Sequence, residues 1–174
     1  MVDVQGQLAN LNGKHLESLV EVTITRNLGV ESEYYARTEE REDILLKNVP
    51  YKSIYGGNCR SEFVLNYQGR SIRIECKSQK SHGSVDEKLP YLFMNMNESI
   101  EEDEAIVILN GNGFRYGAKE WMYSTCKGTK IKVFSLKGFN DYVKKGMPKD
   151  KPKNIPWYKN LINKCFSRNT ASGG

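Results

Sequence analysis

The stretch that most constrains the fold of this chain runs from Arg60 to Lys77 and has the pattern of two alternating strands. Gln68 and Gly69 stand between them, and a two-residue connection that contains glycine is typical of a β-hairpin. Counting outward from this turn places Glu62 directly opposite Glu75. Because alternate residues of a strand share a face, the hairpin has one apolar and one polar face. The apolar face comprises Phe63, Leu65, Tyr67, Ile72, Ile74 and Cys76.

The polar face carries two carboxylates, Glu62 and Glu75, with Lys77 two residues further along. Like charges at opposed positions cost roughly 0.2–1 kcal/mol, so a cation held between them is one reason to keep the pair. Carboxylate oxygens suit Mg²⁺ or Mn²⁺. The alternative is a solvated strand face whose acids are neutralised by Arg60, Arg73 and Lys77. The residues leave both interpretations open, because a register shift of one position would separate the carboxylates.

The bulk properties of the chain indicate one globular domain. Its 174 residues suffice for a sizeable core, and no apolar run has the length of a membrane span. The first residues lack the pattern of a signal peptide. The four cysteines form no Cys-x-x-Cys pair, which disfavours a zinc site or a disulfide framework. We therefore expect free thiols, a cytoplasmic location and no membrane partner.

The charge of the chain is concentrated near its end. Residues 144–174 hold eight basic side chains and one acidic one, so this segment is +7 and the rest is −2. A basic segment attracts polyanions such as nucleic acid, although solubility alone is an alternative explanation. We therefore predict a folded domain over residues 1–145 and a basic, partly disordered extension over residues 146–174. The candidate nucleic-acid contacts are Lys80, Lys149, Lys151, Lys153, Trp157 and Lys159.

The segment before the hairpin contains a predicted helix and, after it, a predicted strand or short helix. Apolar residues at helical spacing predict a helix over residues 14–24, with Gly29 as its stop. Glu17 and Glu21 lie one turn apart on a flank of this helix. Residues 31–48 are interpreted as a strand or a short helix. Turn chemistry is predicted at residues 48–51.

The segment after the hairpin alternates between helices and strands. Ser84 and Glu87 match a capping box for a helix that starts at Val85, with Pro90 expected to kink it or delay its start. A buried strand is predicted at residues 105–109. The remaining predicted elements are a helix at 118–126, a strand at 131–134 and a helix at 136–145. This order indicates an α/β domain with a mixed sheet flanked by helices.

The tripeptide Glu75-Cys76-Lys77, with an acid on the adjacent antiparallel strand and a helix and strand after it, resembles the PD-(D/E)XK nuclease superfamily. The resemblance covers residues 11–145. Over this range the chain is similar to a small group of nucleases from phages and bacterial mobile elements. One departure is Ser61-Glu62, which stands where the superfamily has Pro-Asp. The resemblance implies a restriction-endonuclease-like core, in which a central antiparallel hairpin belongs to a mixed β-sheet flanked by helices.

The same resemblance implies a metal site. Its ion would be Mg²⁺, with Mn²⁺ as a substitute. Glu62, Glu75 and the carbonyl of Cys76 would hold the ion. The first helix often supplies a further acid in this superfamily, and Glu17 is the best match, with Glu21 second.

The function that the resemblance implies is metal-dependent DNA endonuclease activity, by nicking or double-strand cleavage. Glu62, Glu75, Lys77 and Gln79 would form the catalytic set. Lys77 would orient the attacking water and neutralise charge in the transition state, and Gln79 would contact the phosphate or the water. The alternatives are a junction-resolving recombination nuclease and a DNA-binding module with a decayed site. A double-strand break usually needs two sites, so a homodimer is a further expectation.

Overall fold

A six-stranded mixed sheet forms the centre of the computed structural model, which describes residues 4–36 and 41–148, with side chains of the first helix from residue 12 onward. The strands are β1 (Glu31–Tyr34), β2 (Ile44–Lys52), β3 (Asn58–Asn66), β4 (Ser71–Ser78), β5 (Glu104–Asn110) and β6 (Ile131–Ser135). The helices are α1 (Val4–Leu28), α2 (Val85–Met94), α3 (Tyr116–Thr125) and α4 (Leu136–Lys144). A π-helical segment, Asn95–Ser99, continues α2.

The strands lie in the sheet in their chain order. The pairs β2–β3 and β3–β4 are antiparallel, whereas β1–β2, β4–β5 and β5–β6 are parallel. Helices cover both faces of this sheet. The predicted α/β fold, a mixed sheet with a central antiparallel hairpin flanked by helices, is therefore confirmed.

The turn of the central hairpin lies at the predicted residues. Tyr67 and Arg70 exchange backbone hydrogen bonds of 2.9 and 3.2 Å. Gln68 and Gly69 between them have φ angles of 53° and 66°, as in the type I′ turn that matches the twist of paired strands. The ladder then runs outward from Asn66 opposite Ser71 to Phe63 opposite Ile74. This register is the one obtained by counting from the turn.

Two apolar clusters lie on opposite faces of the sheet. Helices α1 and α4 pack on the face that carries Leu65, Ile74 and Cys76. Helices α2 and α3 pack on the other face. Strand β5 contributes to both clusters, with Ile106 on the first and Val107 on the second. None of the described helices combines the length and apolar character that crossing a membrane requires.

Residues 48–51 correct one sequence interpretation, since they form part of β2 and not a turn. Pro50 lies opposite Arg60 of β3, but β1 pairs only with residues 44–47, so Pro50 lies beyond the β1 pairing. A strand tolerates proline where one edge is unpaired, because the missing N–H is not needed there. Asn48 keeps turn-like geometry, with a φ of 58°.

The start of α2 is as predicted, but its cap is different. The side chain of Ser84 makes no capping hydrogen bond, and the N–H of Val85 instead donates to Oε1 of Gln79 at 3.0 Å. The helix continues through Pro90 to Met94 without a later start. A residue from the end of β4 therefore fixes the position of α2, a contact that a local capping pattern cannot indicate.

The loop between β5 and α3 lies against the loop between β4 and α2. The N–H of Gly113 donates to the carbonyl of Gln79 at 2.8 Å, and the N–H of Gln79 donates to the carbonyl of Asn110 at 2.9 Å. A Cβ placed on Gly113 would lie 2.3 Å from the carbonyl oxygen of Ser81. This position therefore requires glycine for close approach of two backbones.

Gly113→Ala should lower the free energy of unfolding by about 2–3 kcal/mol, because two backbone segments must move apart. Gly117→Ala is the matched control, since a Cβ there meets no atom within 4 Å and α3 gains up to about 1 kcal/mol from better helix propensity. Urea denaturation of both variants measures the difference. Equal stabilities of the two variants would contradict the close contact.

Candidate active site

Glu62 and Glu75 lie side by side at the end of the central hairpin. The ladder ends one position before them, at Phe63 and Ile74, and the two carboxyl groups are close enough to interact directly. Nζ of Lys77 lies 2.6 Å from Oε2 of Glu75 and 3.2 Å from Oε1 of Glu62. The three predicted side chains thus converge, and the ammonium of Lys77 lies between the carboxylates.

Glu62, Glu75 and Lys77 are largely buried, and the pKa values of Glu62 and Lys77 are shifted as a result of burial and of their mutual charges. The side chain of Glu75 is 5% exposed and that of Glu62 is 20% exposed, which rules out the solvated strand face. Burial, followed by the charge of Glu75, raises the pKa of Glu62 to about 8. Burial alone would lower the pKa of Lys77, but the carboxylates of Glu75 and Glu62 raise it overall. Burial and the neighbouring Glu75 therefore favour the neutral form of Glu62, whereas the two acids favour the charged form of Lys77.

Glu75 keeps one carboxylate oxygen available for a further ligand. Its Oε2 accepts from Lys77, whereas Oε1 is buried and accepts from no N–H group or hydroxyl in the described part of the chain. A buried carboxylate oxygen without such a donor is unfavourable, so a divalent cation fits here. Within residues 4–36 and 41–148, no group of three His, Cys, Asp or Glu side chains could hold a metal ion. The fitting donor set is therefore two carboxylates supplemented by backbone or water oxygens, as is usual for Mg²⁺.

A cleft of about 520 Å³ next to Glu62 contains both acids of α1 that the sequence singled out. Glu21 accepts hydrogen bonds from Ser32 at 2.5 Å and from Lys47 at 3.0 Å. Burial would raise the pKa of Glu21, but these two partners lower it overall. Glu17 makes no hydrogen bond or ion pair with any described residue. Of the two acids, Glu17 is therefore the one free to bind a ligand.

Cys76 contributes backbone groups to the site. Its N–H donates to Oε2 of Glu62 at 3.2 Å, which holds that carboxylate in place. Its thiol is buried in the cluster beneath α1. Burial, followed by the charge of Glu62, raises the pKa of this thiol well above its usual value, so the sulfur stays neutral. A metal contact through the Cys76 carbonyl stays a prediction.

Gln79 is buried and its amide is fully engaged. Nε2 donates to the carbonyl of Gly113 at 2.8 Å and lies 3.3 Å from Oδ1 of Asp86, while Oε1 accepts from Val85. These bonds join the end of β4 to the starts of α2 and α3. Contact of Gln79 with a phosphate or water stays a prediction. The contacts that the structure describes for Gln79 are those of a residue that positions the strand carrying Lys77. Lys80, next in the chain, is exposed.

Arg73 is a site residue that the sequence interpretation missed. Its Nη1 donates to Oγ of Ser61 at 2.7 Å, and its Nε donates to Glu102 at 2.9 Å. Its guanidinium also lies 4.9 Å from the ring centroid of Tyr51. Because Ser61 precedes Glu62 and Arg73 lies two residues before Glu75, this buried group ties together the strands that carry the carboxylates. Alternation placed Arg73 on this face, but no local signal indicated Glu102.

Basic side chains line the cleft beside the carboxylates. Lys14 of α1 and Arg60 of β3 are exposed and contribute to its wall. Neither was among the predicted nucleic-acid contacts. The predicted contacts in the basic extension fall outside the described residues: Lys149, Lys151, Lys153, Trp157 and Lys159. The domain boundary at residue 145 likewise stays a prediction.

The fold, with Glu62, Glu75 and Lys77 converging at the end of its central hairpin, is of the restriction-endonuclease-like class. The family model of a PD-(D/E)XK nuclease superfamily domain matches residues 8–147 of the chain. The chain therefore belongs to the PD-(D/E)XK nuclease superfamily, and its substrate is nucleic acid. No curated protein matches the chain.

Proposed function

We propose that this protein is a divalent-metal-dependent DNA endonuclease that hydrolyses phosphodiester bonds. The observation that carries the proposal is the buried carboxylate pair, in which Oε1 of Glu75 accepts from no described N–H group or hydroxyl and Lys77 lies between the two acids. Mg²⁺ is the proposed ion, with Mn²⁺ as a substitute, because both take carboxylate oxygens.

Each residue of the site has a part in this proposal. Glu62 and Glu75 would hold the ion, together with the carbonyl of Cys76 and water oxygens, while Glu17, which lines the same cleft as Glu62, stays a predicted further ligand. When bound, the ion would lower the pKa of a water ligand and offset charge on the phosphate oxygens. Glu62 would bind the ion as a carboxylate and so would lose its proton. Lys77 keeps its positive charge and orients the attacking water beside the phosphate.

The charges around the cleft support DNA as the substrate. Lys14, Arg60 and Lys80 are exposed near the site, and phosphate contacts by such side chains supply sequence-independent affinity. The basic extension over residues 146–174 adds further positive charge. Positive charge around the cleft would draw the backbone of a strand towards Glu62 and Glu75.

Supercoiled plasmid incubated with the protein should be nicked or linearised in Mg²⁺ or Mn²⁺ and should stay intact in EDTA. Glu75→Gln should remove the cleavage, because it keeps the volume of the side chain but not its charge. Glu120→Gln, an exposed acid on α3, is the matched control and should cut normally. Plasmid that is shifted on a gel but never cut would overturn the proposal in favour of a DNA-binding module. Four-way junctions assayed in parallel identify a junction-resolving activity.

A further inference from the structure

Two aromatic rings form an exposed stacked pair outside the carboxylate site. Tyr55, in the turn between β2 and β3, stacks on Tyr91 of α2 with ring centroids 5.3 Å apart and an interplanar angle of 18°. The Tyr55 residue is nevertheless 82% exposed. One face of its ring is therefore covered by Tyr91, and the opposite face is open to solvent.

The backbone beneath this pair is held by buried polar side chains. Oγ of Ser53 accepts from the N–H of Tyr55 at 3.3 Å. Oδ1 of Asn95 accepts from the N–H of Ile54 at 2.9 Å, and its Nδ2 donates to the carbonyl of Tyr91 at 3.0 Å. Asn95 is buried, so it joins the turn to the helix. The open ring face is thus preorganised, which reduces the entropy lost when a ligand stacks on it.

The aromatic pair lies at the same end of the hairpin as the carboxylates. The turn that carries Tyr55 leads to Asn58, the first residue of β3, and Glu62 lies four residues further along that strand. At about 3.3 Å per residue the strand from Asn58 to Glu62 is roughly 13 Å long, and the path along the chain from Tyr55 to Glu62 is longer than that, so the two sites are several nucleotides apart. Tyr51, near the end of β2, has its pKa raised by burial and then by the charge of Glu75, which places this end of the sheet within electrostatic reach of the site.

Positive side chains accompany the aromatic pair. Lys88 lies three residues before Tyr91 and so shares its helical face, and Lys52 directly precedes the turn. Both lysines are exposed. An open aromatic face with exposed lysines on the adjoining strand end and helix matches a nucleotide, whose base stacks while the adjacent phosphates meet ammonium groups.

We propose that Tyr55 and Tyr91 form a stacking site for an unpaired nucleobase of the DNA substrate. In a continuous duplex both faces of each base are covered by its neighbours, so only an unpaired base can use the open face of Tyr55. The enzyme then prefers DNA with unpaired bases several nucleotides from the cut. This inference rests on the proposed endonuclease function and adds the class of DNA that the site takes.

Fluorescence of 2-aminopurine, a base analogue sensitive to stacking, tests the site directly. Full-length protein in EDTA is titrated into single-stranded oligonucleotides that carry the analogue at successive positions, and into fully paired duplexes. We expect one position to respond on binding. Tyr55→Leu should weaken single-strand binding by about 5- to 150-fold and abolish that response, with little change for the duplex. Tyr55→Phe keeps the ring and should bind within about twofold of wild type.

The control variants separate base stacking from a structural role of the ring pair. If the pair only fastens the turn to α2, Tyr55→Leu will lower the melting temperature and leave the 2-aminopurine response and the affinity unchanged, which would overturn the inference. Equal losses in Tyr55→Phe and Tyr55→Leu would also overturn it, since the hydroxyl would then be the binding group. Normal plasmid cleavage by these variants would leave the endonuclease function standing. Wild-type protein that neither binds nor cuts DNA would overturn both proposals.

Discussion

Replacement of Lys77 by alanine should slow DNA cleavage by about 10²–10³-fold, the usual effect of removing one fixed group that stabilises charge in a transition state. The ammonium contacts both carboxylates, at 2.6 and 3.2 Å, and no other described basic side chain forms an ion pair with Glu62 or Glu75. The chemical step should therefore suffer while DNA binding changes little. Single-turnover cleavage of a labelled duplex at saturating Mg²⁺ measures the chemical step, and a binding titration in EDTA measures affinity.

The same variant should also be less stable, which allows the two effects to be separated. Without Lys77, Glu62 and Glu75 face each other without a cation, and we expect a loss of about 1–3 kcal/mol at pH 7 in EDTA. The loss is limited because the lysine is 27% exposed and because burial and Glu75 already favour the neutral form of Glu62. Lys80→Ala, an exposed lysine three residues further on, is the matched control and should affect affinity only. A Lys77→Ala variant that cuts within threefold of wild type would remove Lys77 from the mechanism.

Glu62→Gln should make the metal-free protein more stable than wild type at pH 8 but nearly equal to it at pH 5. The pKa of Glu62 is 4.5 in the unfolded reference and about 8 in the folded protein, so the folded state binds the extra proton in this range. Wild-type stability therefore falls as the pH rises from 4.5 to 8, by up to about 1.4 kcal/mol per pH unit. Glutamine has no proton to lose. Urea denaturation in EDTA at intervals between pH 5 and 8 measures the widening difference.

Glu21→Gln is the control for this prediction and should show the opposite sign. The pKa of Glu21 is lowered in the folded protein by Ser32 and Lys47, so its contribution is present above pH 4.5 and is lost as the pH falls. The Glu21 variant should thus be less stable than wild type at neutral pH and approach it in acid. A stability difference between wild type and Glu62→Gln that does not vary between pH 5 and 8 would show that Glu62 titrates normally.

The core of the fold and the carboxylate pair could be predicted because their signals are local. A glycine-containing turn and strict alternation establish which residues of a hairpin oppose each other, and the register observed between Phe63 and Ile74 follows from them. The apolar run 105–109 likewise predicts a strand buried on both faces, as found for β5. Residues 48–51 were interpreted wrongly because proline and asparagine favour turns, and only the limited pairing of β1 shows why a strand accepts them there.

The parts of the site that could not be predicted from the sequence depend on contacts between segments that are far apart in the chain. Alternation indicated Arg73 only as a possible neutralising charge for the acids of the polar face, because its partner, Glu102, lies 29 residues away in the chain. Lys14 and Arg60 meet at one cleft only because α1 lies across the sheet. Helical periodicity places Glu17 and Glu21 one turn apart and the resemblance ranks Glu17 first, and the contacts of Glu21 with Ser32 and Lys47 are consistent with that order.

The sequence by itself determined the register of the central hairpin from Asn66 opposite Ser71 to Phe63 opposite Ile74, because a hairpin turn and a two-residue period specify neighbours along two connected strands. Only the tertiary structure decided how Glu62, Glu75 and Lys77 meet beyond the end of that ladder. Tertiary packing buries the carboxylates, raises the pKa of Glu62 and leaves Oε1 of Glu75 without an N–H or hydroxyl donor among the described residues. Burial and charge depend on everything that packs around a group, which no local pattern contains.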